Sequence, residues 1–361
     1  MKLKQKLLLI FFSITLTPIL ITGLVSSYIA STSLEQQTFD HLTAIRESKK
    51  SQINYYFTER QSDITLLAQT VKGMLDTSSV ESVNQSAHDA QSYFDQYIKT
   101  YDYYDLFLIN AQGDVFYTVT READYQSNLR NGQYSDSGLG RLFAKVSDSG
   151  QFGMVDFSRY APSNQDPASF IAYPLTIDSG ETIILALQLS INKINTVMQL
   201  REGMGETGES LLVGSDYLMR SDSFFEPGKR SVIASFGGNV ANNGIATEAV
   251  KAGLSGTTDT RIITGHDGDS ILSAFTPVEI GDVRWVLLSE IDESEAFGPI
   301  YSLYQSLFIV ILLTLGVIAF IALATTMSII KPLGGEPDDM KKMTEQVADG
   351  DLSIEFASGD N

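Results

Sequence analysis

Two apolar stretches, residues 7–34 and 296–330, bracket a long polar segment, and no Asp, Glu, Lys, Arg or His interrupts either. Each exceeds the roughly 20 apolar residues, at ~1.5 Å per residue, that a helix needs to cross a bilayer. A charge at mid-bilayer costs at least ~2.5 kcal/mol, so uncharged runs of this length are informative. From Leu307 to Met327 the second run is apolar around its whole circumference, unlike a half-exposed helix. The first outruns the apolar core of a secretory signal, about 7–15 residues, and Tyr28 suits an A-x-A-like cut poorly. Transmembrane helices are expected over 7–30 and 305–328.

Between them the period changes twice. Phe39, Leu42, Ile53, Phe57, Ile64, Leu67, Val71 and Met74 are spaced by 3, 11, 4, 7, 3, 4 and 3, which keeps them near one helical face. No Gly or Pro falls between Gly23 and Gly73, so one long helix is predicted over 34–75. Forty such residues reach ~60 Å, enough to lift a folded body away from a membrane. Arg46, Lys49 and Arg60 interrupt the stripe, which also has the makings of a coiled-coil seam.

Beyond a Ser-rich helical stretch, strand patterns take over. Strands are expected at 106–109 and 115–119 around a turn at Gly113, and at 168–176 and 182–190 around Gly180. A weak repeat follows: 210–213 and 217–219 echo the first pair, while 270–278 and 285–289 echo the second, with Pro174 and Pro277 in matching places. Two tandem copies of one α+β unit, about 76–200 and 201–295, are the simplest account, divided near Gly203 and Gly205.

Charge sets the orientation. Lys2, Lys4 and Lys6 precede the first apolar run, and Lys331, Lys341 and Lys342 follow the second. Positive flanks stay in the cytoplasm, so residues 1–6 and 329–361 are expected inside and 31–295 outside. Of 25 basic and 44 acidic residues, six and eight lie outside 35–295. That leaves the segment 19 against 36, a balance that argues against nucleic-acid binding. There is no cysteine, hence no disulfide or thiol chemistry.

Past the second run, Leu333, Met340, Met343 and Val347 form one stripe, between Pro332 with Gly334, Gly335, Glu336 and Pro337 and a later Gly350, Asp351 and Leu352. This resembles the first helix and connector of a HAMP domain in bacterial chemoreceptors. With two spans and a doubled module, the chain resembles a methyl-accepting chemotaxis protein with a double-Cache sensor, cut short within HAMP. The resemblance implies two PAS-like Cache modules, an inner-membrane receptor with a periplasmic sensor, a homodimer, and a small-molecule site in the membrane-distal module. The output part of such a receptor is absent from these residues. The same sensor on a histidine kinase or a cyclic-dinucleotide enzyme is an alternative, as are a membrane-tethered enzyme and a spacer that binds nothing.

Candidate chemistry favours binding over catalysis. His41, His88 and His266 are far apart with no zinc spacing, and His266 reads as an exposed turn residue. Gly203, Gly205 and Gly208 mimic a phosphate loop but no Lys follows, and 267–269 lacks the spaced carboxylates of a calcium loop. No catalytic residue, metal or cofactor is expected. Aromatic walls with a few aimed polar groups make a pocket, and Tyr125, Asn128, Arg130, Tyr134, Asp156, Arg159, Tyr160 and Tyr173 supply both.

Amino-acid-sensing relatives add a Trp–Tyr pair, a strand tyrosine and an aspartate for the ligand ammonium. Here Asn131, Gly132 and Gln133 stand where the tryptophan is expected, Tyr160 matches the strand tyrosine, and the aspartate position falls at Gln188. Losing a charge-assisted bond costs roughly 1.5–3 kcal/mol, so α-amino acids are not expected as the principal ligand.

Overall fold

The computed structural model describes residues 3–330 and 337–349. Residues 38–296 form one compact unit, and the terminal segments form another. The first helix, α1 (Leu3–Met74), is continuous, with Pro18 inside it, where the sequence suggests a span and a separate helix.

Within the compact unit, Leu42, Ile53, Phe57, Ile64, Leu67 and Val71 of α1 are buried, and Met74 is exposed. Each fully buried aliphatic side chain contributes about 1.5–3 kcal/mol. The stripe packs against the chain's own two sheets, so along this stretch α1 is a spine and not a free stalk. The interrupting cations are buried too. Arg46 Nη1 donates to the Asp259 carbonyl (2.9 Å), Lys49 Nζ to Val197 and Leu200 (2.5 and 2.6 Å), and Arg60 Nη1 to Tyr101 (2.9 Å). Burial lowers the Lys49 pKa, opposed by the charge of Glu202.

Helices α2 (Val80–Asp89) and α3 (Gln91–Tyr101) follow. Ser79 caps α2 by accepting the Ser82 N–H, and the left-handed Asp102 ends α3. Then come β1 (Tyr103–Ile109), β2 (Val115–Thr118), α4 (Gly138–Ser149), β3 (Gly153–Arg159), β4 (Pro167–Thr176), β5 (Thr182–Leu189) and α5 (Asn192–Met198). The five strands form an antiparallel sheet in the order β2-β1-β5-β4-β3. The chain continues with β6 (Glu209–Gly214), α6 (Val232–Gly237), α7 (Val240–Asn243), α8 (Glu248–Leu254), β7 (Asp259–Thr264), β8 (Ser270–Ile280) and β9 (Val283–Asp292). These strands are ordered β6-β9-β8-β7.

Both sheets therefore place their last strand beside their first, and the internal repeat is visible in the register. Pro174 of β4 faces Ile184, and Pro277 of β8 faces Val286. Each proline lies just past the last residue that its other neighbour strand pairs, Ala172 with β3 and Phe275 with β7. The missing N–H thus breaks no ladder. Strands β3 and β7 were not expected from the sequence.

Helix α9 (Glu293–Ala296) ends the compact unit. Its Glu295 carboxylate accepts the N–H groups of Glu206 and Thr207, each at 2.7 Å. The glycine-rich turn over 203–208 is thus an anion cradle, filled by the chain's own acid. Gly205, at φ +67°, has no room for a Cβ, which would lie 2.2 Å from that carboxylate.

In the terminal unit, α10 (Gly298–Ile330) and the start of α1 are long and apolar enough to cross a membrane. Ile14, Leu24 and Ile29 on α1, and Phe308, Leu313 and Phe320 on α10, are exposed. A last helix, α11, spans Pro337–Ala348. The expected HAMP features at Pro332 to Glu336 and at Gly350 to Leu352 lie outside the described residues.

Candidate ligand site

The first sheet has two unlike faces. One, bearing Leu106, Leu108, Ile171, Leu185 and Leu187, packs on α1 to α3. The other carries Phe107, Ile109, Phe170, Ile184 and Ala186, covered by Leu139, Leu142 and Phe143 of α4. Two loops, 119–137 and 160–166, complete the cover. A bulge in β1, where Tyr103 pairs with Leu189 but Asp105 with Gln188, resets the alternation. It turns Asp105 from the helix face to the loop face, beside Phe107.

Polar groups gather at that end of the loop face. Asp105 is 1% exposed and accepts five hydrogen bonds. They come from the N–H groups of Leu106, Val119 and Thr120 and the hydroxyls of Thr118 and Thr120. Burial still pushes its carboxyl upward against those bonds. Asp124, fully buried, accepts the Tyr160 hydroxyl at 2.5 Å on Oδ2, while Oδ1 has no partner. Burial raises its pKa to about 6, opposed by the Tyr160 bond and assisted by the charges of Asp105 and Glu122. Burial and the neighbouring Asp124 raise the Tyr160 phenol strongly.

Glu122 accepts the hydroxyls of Tyr104 (2.7 Å) and Ser163 (2.8 Å). Gln188 Nε2 reaches Ser163 Oγ at 3.4 Å, and its Oε1 is buried without a partner. Tyr160 meets Phe170 edge-on at 4.9 Å, and Phe170 meets Phe107 at 6.1 Å. Arg121, Gln126, Asn164 and Gln165 in the two loops have φ between +55° and +69°. Each such non-glycine residue stores roughly 1–2 kcal/mol, a pattern that clusters at functional loops.

Of the residues singled out from the sequence, Tyr160 and Gln188 stand in this cluster. Tyr125 lies on the covering loop, edge-on to His88 at 6.5 Å. Asn128 pins that loop, donating to Asp114 Oδ1 (2.7 Å) and accepting the N–H groups of Arg130 and Asn131. Arg130 is exposed, over the Phe143 ring and bonded to the Ala111 carbonyl. Tyr134 flanks the loop-face core, whereas Tyr173 packs on the helix face.

Asp156 and Arg159 point to the second sheet. Asp156 takes a bidentate pair from Arg220 (both 2.8 Å) and the indole N–H of Trp285 (2.9 Å). Arg159 Nε donates to the Phe236 carbonyl at 2.7 Å. Asp105, Glu122, Asp124 and Ser163 were missed in the sequence. The available signal was an aspartate two residues before Phe107, set among aromatic strand residues at the edge of the expected strand.

His266 is not an exposed turn residue. It is half-buried, with Nε2 3.1 Å from Glu226 Oε2, and burial lowers its pKa.

Two antiparallel sheets of matched strand order, packed along one long helix, define a tandem α+β fold. The dCache_1 family, described as a Cache domain, matches residues 26–300, and the chain belongs to that family. Among solved structures, the periplasmic sensory domain of the Campylobacter jejuni chemoreceptor Tlp1 aligns at 14% identity and TM-score 0.53, over 74% of this chain and 99% of that one. The ligand-binding domain of the Pseudomonas fluorescens chemoreceptor CtaA with L-serine aligns at 16% and 0.49, covering 72% and 99%. That of Pseudomonas aeruginosa PAO1 PctC with GABA aligns at 15% and 0.48, covering 71% and 100%. The search of curated proteins returns no match.

Proposed function

We propose that the chain is the sensing part of a transmembrane chemoreceptor, with residues 31–295 outside an inner membrane and both ends inside. The observation that carries this reading is the loop-face cluster on the first sheet. Gln188 Oε1 and Asp124 Oδ1 are buried acceptors without donors, on a Cache fold whose covering loops hold strained residues. Buried polar groups ordinarily have partners, and exceptions call for a reason. A small ligand that donates hydrogen bonds is such a reason. In this reading the first sheet is the membrane-distal module, and the ligand is not an α-amino acid.

Signal passage has a physical route. Tyr160 follows β3 directly, so movement of the loops bears on the Asp156 contact with Arg220 and Trp285. Trp285 lies on β9, which leads through α9 into α10 and then to a HAMP helix. Two copies acting as a dimer would change the contact between their α10 helices. A coupling of ~1–3 kcal/mol suffices, provided the ligand binds one arrangement better.

These 361 residues contain no cysteine, so within them single cysteines introduced in α10 report cleanly. Their crosslinking in membranes should change when a ligand saturates the sensor. A crosslinking pattern indifferent to saturation defeats the signalling mechanism. Protease added outside intact cells should digest the sensor and spare the tail.

A further inference from the structure

The reading above leaves the ligand's chemistry open, and the first-sheet cluster constrains it. Asp105, Glu122 and Asp124 gather around Tyr160, and among the described residues no Lys, Arg or His forms an ion pair with any of them. Gln188 supplies an independent sign. Its side chain is 4% exposed, its amide N–H meets Ser163, and its carbonyl oxygen has no donor. Asp124 Oδ1 lacks a donor as well, with the residue fully buried. The unmet demand at this site is therefore for hydrogen-bond donors and positive charge. The nearby guanidinium groups are engaged elsewhere: Arg121 meets His88 and the Tyr125 ring, Arg130 is exposed over Phe143, and Arg159 donates to Phe236.

We infer that the distal site takes a compact organic cation without a carboxylate, a primary amine or guanidine, held by Asp124 and Gln188. An ammonium has three donors and no lone pair, which matches a site whose unpartnered atoms, Asp124 Oδ1 and Gln188 Oε1, are both acceptors. Tyr160, Phe107 and Phe170 supply aromatic walls suited to a desolvated cation. A carboxylate on the same ligand would enter beside three acidic side chains, which like-charge repulsion disfavours. The strained loops 119–137 and 160–166 are the segments that shift to admit it.

This inference rests on the sensor reading, and one series of compounds separates the two. The full chain in lipid nanodiscs is titrated calorimetrically at pH 8 with 1,4-diaminobutane, ornithine and glutarate, which are of similar length but differ in charge. The diamine should bind, ornithine at least about tenfold more weakly, and glutarate not at all. Asp124→Asn keeps a partner for the Tyr160 hydroxyl and removes the charge. It should weaken diamine binding about tenfold or more while leaving the unliganded melting temperature no lower.

Glutarate or ornithine binding as tightly as the diamine, and weakened by Tyr160→Phe, overturns the cation class but keeps the distal site. Diamine binding indifferent to both substitutions overturns the location. Silence from the diamine, methylammonium and 4-guanidinobutylamine overturns the inference, and silence from all charge classes overturns the sensor reading as well.

Discussion

The two sheets share a strand order and differ in what they bury at one matched position. In the first, Asp105 of the first strand registers with Gln188 of the last, which registers with Phe170 of the fourth. In the second, Glu209 registers with Glu290, and Glu290 with Ser273. The first sheet covers the spot with Tyr160, Phe107 and Phe170 and places a further carboxylate, Asp124, on a loop. The second leaves a cavity of about 260 Å³ against Glu209 and Glu290. It satisfies its acids with hydroxyls, Ser273 to Glu290 at 2.7 Å and Ser223 to Glu209 at 2.9 Å. The duplicated register thus keeps an acidic spot in both halves, while loops decide whether its charge sits on a movable element or a fixed strand.

The comparison is broken most severely at the joint between the sheets. Arg220→Ala removes the bidentate partner of Asp156 and leaves that carboxylate beside Trp285. Loss of one member of a buried pair costs about 3–5 kcal/mol, toward the lower end here because Asp156 is 24% exposed. The midpoint of a heat melt followed by Trp285 fluorescence should fall by many degrees. A shift within error would mean that the two halves do not lean on each other.

Acidity provides the next test. Glu290 is raised to about 7 by burial, against its Ser273 bond, and Asp124 to about 6. For both, the folded state holds a proton that the unfolded state has already lost. Stability is therefore highest at low pH and declines as pH rises, through about 6 for Asp124 and about 7 for Glu290. Glu290 alone contributes on the order of 3 kcal/mol to this decline. Glu290→Gln should flatten the melting profile between pH 5 and 8 more than Asp124→Asn does. Equal flattening would erase the distinction between strand and loop acids.

Gly214→Ala probes the same joint more gently. A Cβ there would lie 2.2 Å from the Arg220 guanidinium carbon, so the arginine must shift. Overpacking of this kind costs about 1–3 kcal/mol and should lower the melt midpoint modestly. The smallest effect is expected at Lys145 and Asp282, an exposed pair at 2.6 Å linking α4 to the β8–β9 turn. Lys145→Met should leave the midpoint unchanged, as screened surface pairs do. A clear drop would show that the halves are coupled across their rim as well as through Asp156.

Much of this architecture was legible from periodicity. The buried face of α1, the two proline-bearing hairpins and the tandem repeat follow from spacing, because their apolar residues recur at helical intervals or in short continuous runs. Strands β3 and β7 were not, since Asp156, Ser158 and Arg159, or Thr260 and Arg261, interrupt any clear alternation. Arg46, Lys49 and Arg60 read as flaws in a stripe but are buried donors to carbonyls. A sequence does not display which backbone groups a distant turn will leave open. At the candidate site, Tyr160 and Gln188 were pointed to by the family resemblance, whereas Asp105 lay just before the strand expected from the sequence. Asp124 was hidden because its depth is set by loop closure.

The buried cations of α1 have a mechanical consequence. Each is tethered to carbonyls from a different part of the fold: Asp259 at the start of β7, Val197 and Leu200 around the end of α5, and Tyr101 at the end of α3. Sliding the helix by one residue moves it ~1.5 Å and turns it by ~100°, which strands all three charges at once. Within the compact unit the first helix is therefore locked in one register by three separate parts of the fold.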